Sequence, residues 1–281
     1  MDTAAIGIFD SGFGGLTVAR AVVDALPGES ILYLGDTANA PYGPRPVAQV
    51  RALALAALDR LADEGVKMLV IACNSASSAV LHDARERYEV GAGIPVVEVI
   101  HPTARGAAAA TRSGRVGVVG TRATIESGAY GDAFAAAPHI SLTVRACPRL
   151  VEFVEAGRTD GPEVISQVRE YLDPIRDAGV DTLILGCTHY PLLEGVIAEV
   201  MGEGVTLVTS GPETARDVAA ALEGVGRRPE GAAPTHRWLT TGDPVEFGPL
   251  ARRFIGGTAG LWTMAAPLDS FIVPSRGGGP Q

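Results

Sequence analysis

The tightest constraint on this chain is its rhythm. Short unbroken apolar runs recur, each followed by a longer amphipathic or Ala-rich stretch. "AIGIF" (5–9), "ILYLG" (31–35), "MLVIA" (68–72) and "VVEVI" (96–100) read as strands. So do "RVGVVG" (115–120), "SLTVRA" (141–146), "TLILG" (182–186) and "VTLVT" (205–209). Helices are expected near 15–25, 46–64, 75–88, 103–111, 150–156, 163–178, 191–201 and 211–222. Strands without polar alternation are expected to be buried on both faces. Strand–helix alternation then points to an α/β fold, with parallel sheets and right-handed crossovers.

Local signals refine this outline. Ser210 and Glu213 have capping-box spacing, with Pro212 in the first turn of the helix they would start. "RWLTTGDPVEFGPLARRFIG" (237–256) reads as a further strand and helix, and the closing "PSRGGGPQ" as a disordered tail. There is also an internal echo. "IGIFDSGFGGL" and "VGVVGTRATIES" share a layout of apolar strand, small-residue turn and helix start. Cys187 follows Cys73 by nearly the same interval as Val116 follows Ile6. Two similar α/β halves are therefore expected.

Composition narrows the function classes. Of 281 residues, 47% are hydrophobic and 20% charged, which suits a compact globular protein. A net charge of −9 with no basic block argues against nucleic acid as the main partner. The N-terminus lacks a basic segment followed by a long apolar run, and no stretch approaches a membrane span, so a cytoplasmic location is expected. Three cysteines, an odd number, are expected to remain thiols there. No C-x-x-C, H-E-x-x-H or clustered His/Cys spacing supports a metal.

Two of those thiols stand in matching contexts. "MLVIACNSASS" and "LILGCTHYPLL" each run from an apolar strand through a small residue to a cysteine, then to hydroxyl or amide residues. In parallel α/β folds, ligands sit beyond the carboxyl ends of the strands. Cys73 and Cys187 would both fall there and could flank one ligand. The plainer alternative is two small buried hydrophobes, since free cysteine is among the most buried residue types. Cys147, before Pro148 and without polar followers, keeps that plainer reading.

Other candidates cluster around these two. Asp10 ends the first strand in "FDSGFGG", where it could bond a ligand amine, orient a base or simply cap the turn. The glycines there offer backbone N–H groups to a carboxylate. Thr17 breaks a dinucleotide-binding fingerprint, and no Gly-Lys-Ser/Thr follows. "GDTANAPYG" (35–43) is a polar connection from which Tyr42 and Gly43 could reach a ligand. His189, two residues after Cys187, is either an acid/base partner of that thiol or a cap for the next helix.

At these residues the chain resembles the glutamate racemases of the aspartate/glutamate racemase superfamily, which interconvert L- and D-glutamate for the bacterial wall. The resemblance runs through "IGIFDSGFGGLTV", "YLGDTANAPYG", "ACNSAS", "GTRATIESGAY", "CPRLVEFVEAG", "LGCTHYPLL" and "TTGDPVEF". It implies that Cys73 and Cys187 are the catalytic bases, with Asp10, Glu152 and His189 as auxiliary acid/base partners. It implies substrate contacts from Asp10, Ser11, Tyr42, Gly43, Asn74, Ser75, Thr121, Thr188 and His189. It also implies two α/β domains with the active site in the cleft between them. Residues 1–97 with 208–265 would carry Cys73, residues 98–207 would carry Cys187, and 266–281 would form a C-terminal tail. A homodimer is implied, no cofactor is, and DNA gyrase is a possible secondary partner. Two stretches depart from the family pattern: "VIHPTARG", with His101 and Thr103, and Thr209-Ser210.

Elementary chemistry agrees with such a pair. Racemisation removes the α-proton from one face and returns one to the other, which two opposed thiols do without a moving base. Neither thiol motif holds a lysine to anchor pyridoxal phosphate. Three alternatives remain open at this point. One is the same chemistry on aspartate or a hydantoin. Another is a binding protein on this fold, and the third is a thiol hydrolase using Cys187 and His189.

Overall fold

A computed structural model describes residues 2–229, 231, 233–255 and 266–267. The first half runs β1 (Ile6–Asp10), α1 (Leu16–Ala25), β2 (Ile31–Gly35), α2 (Val47–Asp63), β3 (Met68–Ile71), α3 (Asn74–Ala84) and β4 (Val96–Glu98). Then follow α4 (Ile100–Ala110), β5 (Arg115–Gly120), α5 (Arg122–Glu126), α6 (Ala129–Ala133) and β6 (Ser141–Ala146). Next come α7 (Arg149–Glu155), α8 (Pro162–Asp177), β7 (Thr182–Gly186), α9 (Glu194–Met201) and β8 (Thr206–Thr209). The described chain closes with α10 (Ser210–Val225), β9 (His236–Thr240), α11 (Pro244–Ile255) and β10 (Ala266–Pro267). Residues 268–281 of the expected tail, "PSRGGGPQ" among them, lie outside the described residues. The first two residues of that segment form β10, a strand of the first sheet.

The strands form two wholly parallel sheets, ordered β10-β9-β2-β1-β3-β4 and β6-β5-β7-β8. The internal echo is topological. In each sheet the opening strand (β1 or β5) lies between its successor (β2 or β6) and the strand preceding a cysteine (β3 or β7). Ile8 pairs with both Tyr33 and Val70, and Val118 pairs with both Val144 and Ile184.

Alternation along the strands places the side chains. Ile6 and Ile8, Ile31 and Tyr33, and Met68 and Val70 join one apolar cluster. Phe9, Leu32, Leu34, Leu69 and Ile71 join another on the opposite face. On α2, Val50, Leu53, Ala54, Ala57, Leu58 and Leu61 recur at helical spacing, which turns one stripe onto that second face. The first cluster continues into the second sheet through Val116, Val118, Leu183 and Leu185, so both sheets share one core.

Four sequence expectations require correction. Strand β4 ends at Glu98, and α4 starts at Ile100 instead of near 103. The Glu98 carboxylate accepts from the N–H groups of Ile100 (2.5 Å) and His101 (2.9 Å), so a residue read as strand interior caps a helix. The capping box at Ser210 does not form. Ser210 is already helical, its hydroxyl is buried without a hydrogen-bond partner among the described residues, and Glu213 pairs with Arg216 instead. Strands β6 and β8 are edges and only partly buried, because each has a neighbour on one side alone. Between β5 and β6, where the echo implied one helix start, two short helices form, α5 and α6, separated by Gly128 at φ 73°. The other elements fall near their expected ranges. The helix expected over 75–88 ends its α-helical part at Ala84 and continues as a π-helix through Arg85–Val90. Among the described residues no helix is long and apolar enough to cross a membrane.

Gly117, in the central strand β5, has no room for a side chain: an added Cβ would meet Ile175 Cγ2 at 2.7 Å and Leu183 Cδ1 at 2.9 Å. Gly117→Ala is expected to destabilise by about 1–3 kcal/mol through overpacking. The measurement is a urea titration, with a lower midpoint and an unchanged slope. Gly131, in α6, meets nothing within 4 Å, and Gly131→Ala should instead stabilise by up to about 1 kcal/mol in the same titration.

Candidate active site

The carboxyl ends of both sheets open into one cavity of about 250 Å³. The first sheet contributes Ser11, Gly12, residues 40–44 and Cys73–Ser75. The second contributes Thr121, Arg122, Pro148, Val151, Glu152, Glu155 and Cys187–His189. Both motif thiols therefore line the same space. Cys147 does not; it is fully buried, and its carbonyl accepts the Tyr190 hydroxyl at 2.9 Å.

Cys73 follows β3 and serves as the N-cap of α3. Its Sγ accepts the Ala76 N–H at 3.4 Å and donates to Ser11 Oγ at 3.3 Å. Burial pushes this thiol up to about 12, with the Asp10 charge adding to the rise and the Ser11 and Ala76 bonds opposing it. Asp10 itself is buried and does not line the cavity, although its neighbours Ser11 and Gly12 do. Desolvation raises its carboxyl, against His189 and the N–H groups of Gly15, Gly12 and Ser11. Asp10 reaches the site through its field on Cys73 and His189.

Cys187 follows β7 in a different setting. His189 Nδ1 lies 3.8 Å from its sulfur, and His189 Nε2 lies 3.1 Å from Glu155 Oε1. Burial pulls the imidazole down, but the Cys187 and Glu155 bonds outweigh it and lift His189 to about 10. The ring therefore carries a positive charge through neutral pH and holds it beside the sulfur. One thiol has a cationic neighbour and the other an anionic one.

The carboxylate that engages His189 is Glu155, which sequence reasoning missed. Glu152, expected in an auxiliary role, is exposed on the same helix and lines the cavity. The two are three residues apart on α7, and that spacing, which shares a helix face, was the signal for Glu155. Phe254 of α11 was also missed; its ring stands edge-on to His189 with centroids 5.3 Å apart. So was Arg122, a cation on the lining.

Of the expected substrate contacts, Ser11, Tyr42, Gly43, Asn74, Ser75, Thr121, Thr188 and His189 line the cavity and Asp10 does not. The Tyr42 hydroxyl is committed elsewhere, donating to Asp36 Oδ2 at 2.5 Å. Asp36 also accepts from Asn39 Nδ2 (2.9 Å) and Thr241 Oγ1 (2.7 Å), so this fully buried carboxylate organises the whole 36–43 loop. Ser75 Oγ and Thr121 Oγ1, 2.8 Å apart, join the two sides of the cavity. The Asn74 Nδ2 is buried at the lining with no partner among the described residues. A buried donor of this kind is costly alone and suits a carboxylate.

The glycine turn works by close approach. A Cβ on Gly14 would lie 2.3 Å from Thr188 Oγ1 and 2.5 Å from His189 Nδ1. The departures at 101 and 103 do not line this cavity. His101 Nδ1 meets Glu98 Oε1 at 2.8 Å beside a second cavity between β4, α4 and α10, and Thr103 Oγ1 donates to the Val99 carbonyl at 2.5 Å.

Two parallel sheets, each delivering a thiol to one cavity from a topologically matching strand, carry the fold of an amino-acid racemase. The chain belongs to the Asp/Glu/hydantoin racemase family, whose model matches residues 6–218. It is 65% identical to a glutamate racemase of Beutenbergia cavernae over 266 residues, 91% of each chain. A glutamate racemase isoform of Bacillus anthracis superposes with a TM-score of 0.88 at 39% identity, covering 98% of this chain and 99% of that one. The Francisella tularensis glutamate racemase in complex with D-glutamate superposes at 0.86 with 30% identity, covering 98% and 100%.

Two predictions follow from this geometry. Gly14→Ala should displace His189 and lower activity by at least about tenfold. Its circular dichroism spectrum should remain that of the folded protein, and steady-state kinetics reads the loss. His189 is raised above its ordinary 6.5, so its contribution to stability is complete below about 6.5 and is lost as pH rises through about 10. Glu155→Gln and Cys187→Ala should each lower the His189 titration midpoint, measured by NMR of the ring protons. An unchanged midpoint in both would refute the His189 assignment.

Proposed function

We propose that this racemase interconverts L- and D-glutamate without a cofactor, by proton transfer between Cys73 and Cys187, and so supplies D-glutamate for peptidoglycan. The observation that carries the reading is the single cavity lined by both thiols from opposite sheets. The 65% identity to a glutamate racemase, and the superposition at 30% identity on one in complex with D-glutamate, support the choice of substrate.

The unequal surroundings of the thiols assign their starting roles. Cys187, with His189 Nδ1 3.8 Å from its sulfur, is assigned as the starting base. Cys73, buried beside Asp10, starts as the thiol. The Cys187 thiolate takes the α-proton from one face, leaving its electron pair on the α-carbon and carboxylate. The Cys73 thiol delivers its proton to the other face. The turnover ends with a thiol at Cys187 and a thiolate at Cys73, and the reverse reaction starts from there. The substrate ammonium supplies the positive charge that Cys73 lacks in its own surroundings.

The carbanion needs donors aimed at the α-carboxylate. Asn74, Ser75 and Thr188, which line the cavity, and the first turn of α3 are the donors in this reading. Ser11, Gly43 and Thr121 complete the polar wall, with Tyr42 holding its loop through Asp36. Glu155 keeps His189 oriented, and Glu152 stands on the exposed side of the lining. Every group named here belongs to one chain.

The test is incubation with L-glutamate in D₂O, with no added cofactor, following optical rotation and α-deuterium by NMR. Racemisation with deuterium uptake is expected, and both Cys73→Ala and Cys187→Ala should abolish racemisation. Folded, reduced protein that exchanges neither L- nor D-glutamate would overturn the substrate assignment.

A further inference from the structure

Tyr130 belongs to the "GTRATIESGAY" stretch, and the mechanism above leaves it without a task. It sits on α6, beside the second sheet, and is 3% exposed. Its hydroxyl donates to Asn74 Oδ1 at 2.9 Å, across to the residue that follows Cys73. Its ring lies on Gly186, the residue before Cys187. A Cβ on Gly186 would meet Tyr130 Cε2 at 3.0 Å and its hydroxyl oxygen at 3.2 Å. One phenol thus touches the neighbours of both thiols.

An amide is planar, so fixing its oxygen fixes the direction of its nitrogen. Asn74 lines the cavity, and with Oδ1 held by Tyr130 its Nδ2 is buried without a partner among the described residues. A reversed amide would present an oxygen there and repel a carboxylate. We propose that Tyr130 is a positioning residue for the racemisation, locking the Asn74 amide with its N–H groups available to the substrate carboxylate. Its ring, seated on Gly186, keeps that donor in register with Cys187. This inference rests on the racemase reading above.

The interaction matters most where negative charge grows on the carboxylate, so its loss should appear in kcat more than in KM. Tyr130→Phe keeps the ring and removes only the hydroxyl. It is expected to lower kcat about tenfold with KM little changed. Asn74→Ala should lower kcat as well, and Asn74→Ala/Tyr130→Phe should be no slower than Asn74→Ala alone. Thermal unfolding of each variant is measured alongside. Wild-type kcat in Tyr130→Phe would overturn the inference. So would losses that multiply in the double variant, because then Tyr130 does not act through Asn74. Absence of α-proton exchange in the wild-type protein would overturn the parent reading, and this inference with it, in the same assay.

Discussion

The structure depends on the hydrogen-bonded ladder of two parallel sheets. A strand paired on both sides cannot slide without losing every bond in its register. β3 is held between β1 and β4, and β7 between β5 and β8. The chain just beyond each strand, Ala72–Cys73 after β3 and Cys187 after β7, is anchored by that pairing. In both sheets a cysteine follows that strand and opens toward the shared cavity. The proposed proton transfer between two thiols requires sub-ångström placement of two side chains far apart in sequence. Matching topology in the two halves solves the placement twice with one design.

Similar backbones do not make similar thiols. Cys73 is capped by an N–H and a hydroxyl and sits in the field of the buried Asp10. Cys187 is paired with an imidazole whose far nitrogen is tied to Glu155. A symmetric pair would not fix which thiol holds the proton at the start of a turnover. Opposite charges behind the two sulfurs break that degeneracy. His189 remains charged across neutral pH because its two hydrogen bonds outweigh the cost of its burial.

What could be read in the sequence follows from how each feature is encoded. Buried strands announce themselves by unbroken apolar runs, so both sheets and both strand-end thiols were legible. The topological match was visible as an echo between Ile6 and Val116. Side-chain commitments were less so, because one carboxylate looks like another in a string of letters. Glu98 reads as part of a strand until its oxygens are seen to cap α4. Ser210 and Glu213 have the spacing of a capping box, yet the helix starts one residue too early for it. Glu152 and Glu155 share a helix face, and only the geometry shows which reaches His189. Asp36 was quoted within a loop without a role, although three side chains converge on it.

Energetics separate the floor of the cleft from its mouth. The apolar cluster runs without a break from Ile8 in the first sheet to Val118 in the second. Prising the sheets apart would expose that surface, at roughly 1.5–3 kcal/mol for each large side chain uncovered. The sides of the cavity are joined instead by polar contacts: Ser75 to Thr121, Ala123 N–H to the Gly43 carbonyl at 3.2 Å, and Thr17 to the Thr188 carbonyl at 3.1 Å. Each contributes only about 1 kcal/mol net, because water can replace it. Admitting a charged amino acid is therefore cheaper by exchanging these contacts for water than by disturbing the core. Small hydroxyl-bearing and glycine residues at the lining serve that purpose. They can bond across the cleft and to a carboxylate in turn, while the buried strands keep both sulfurs in place.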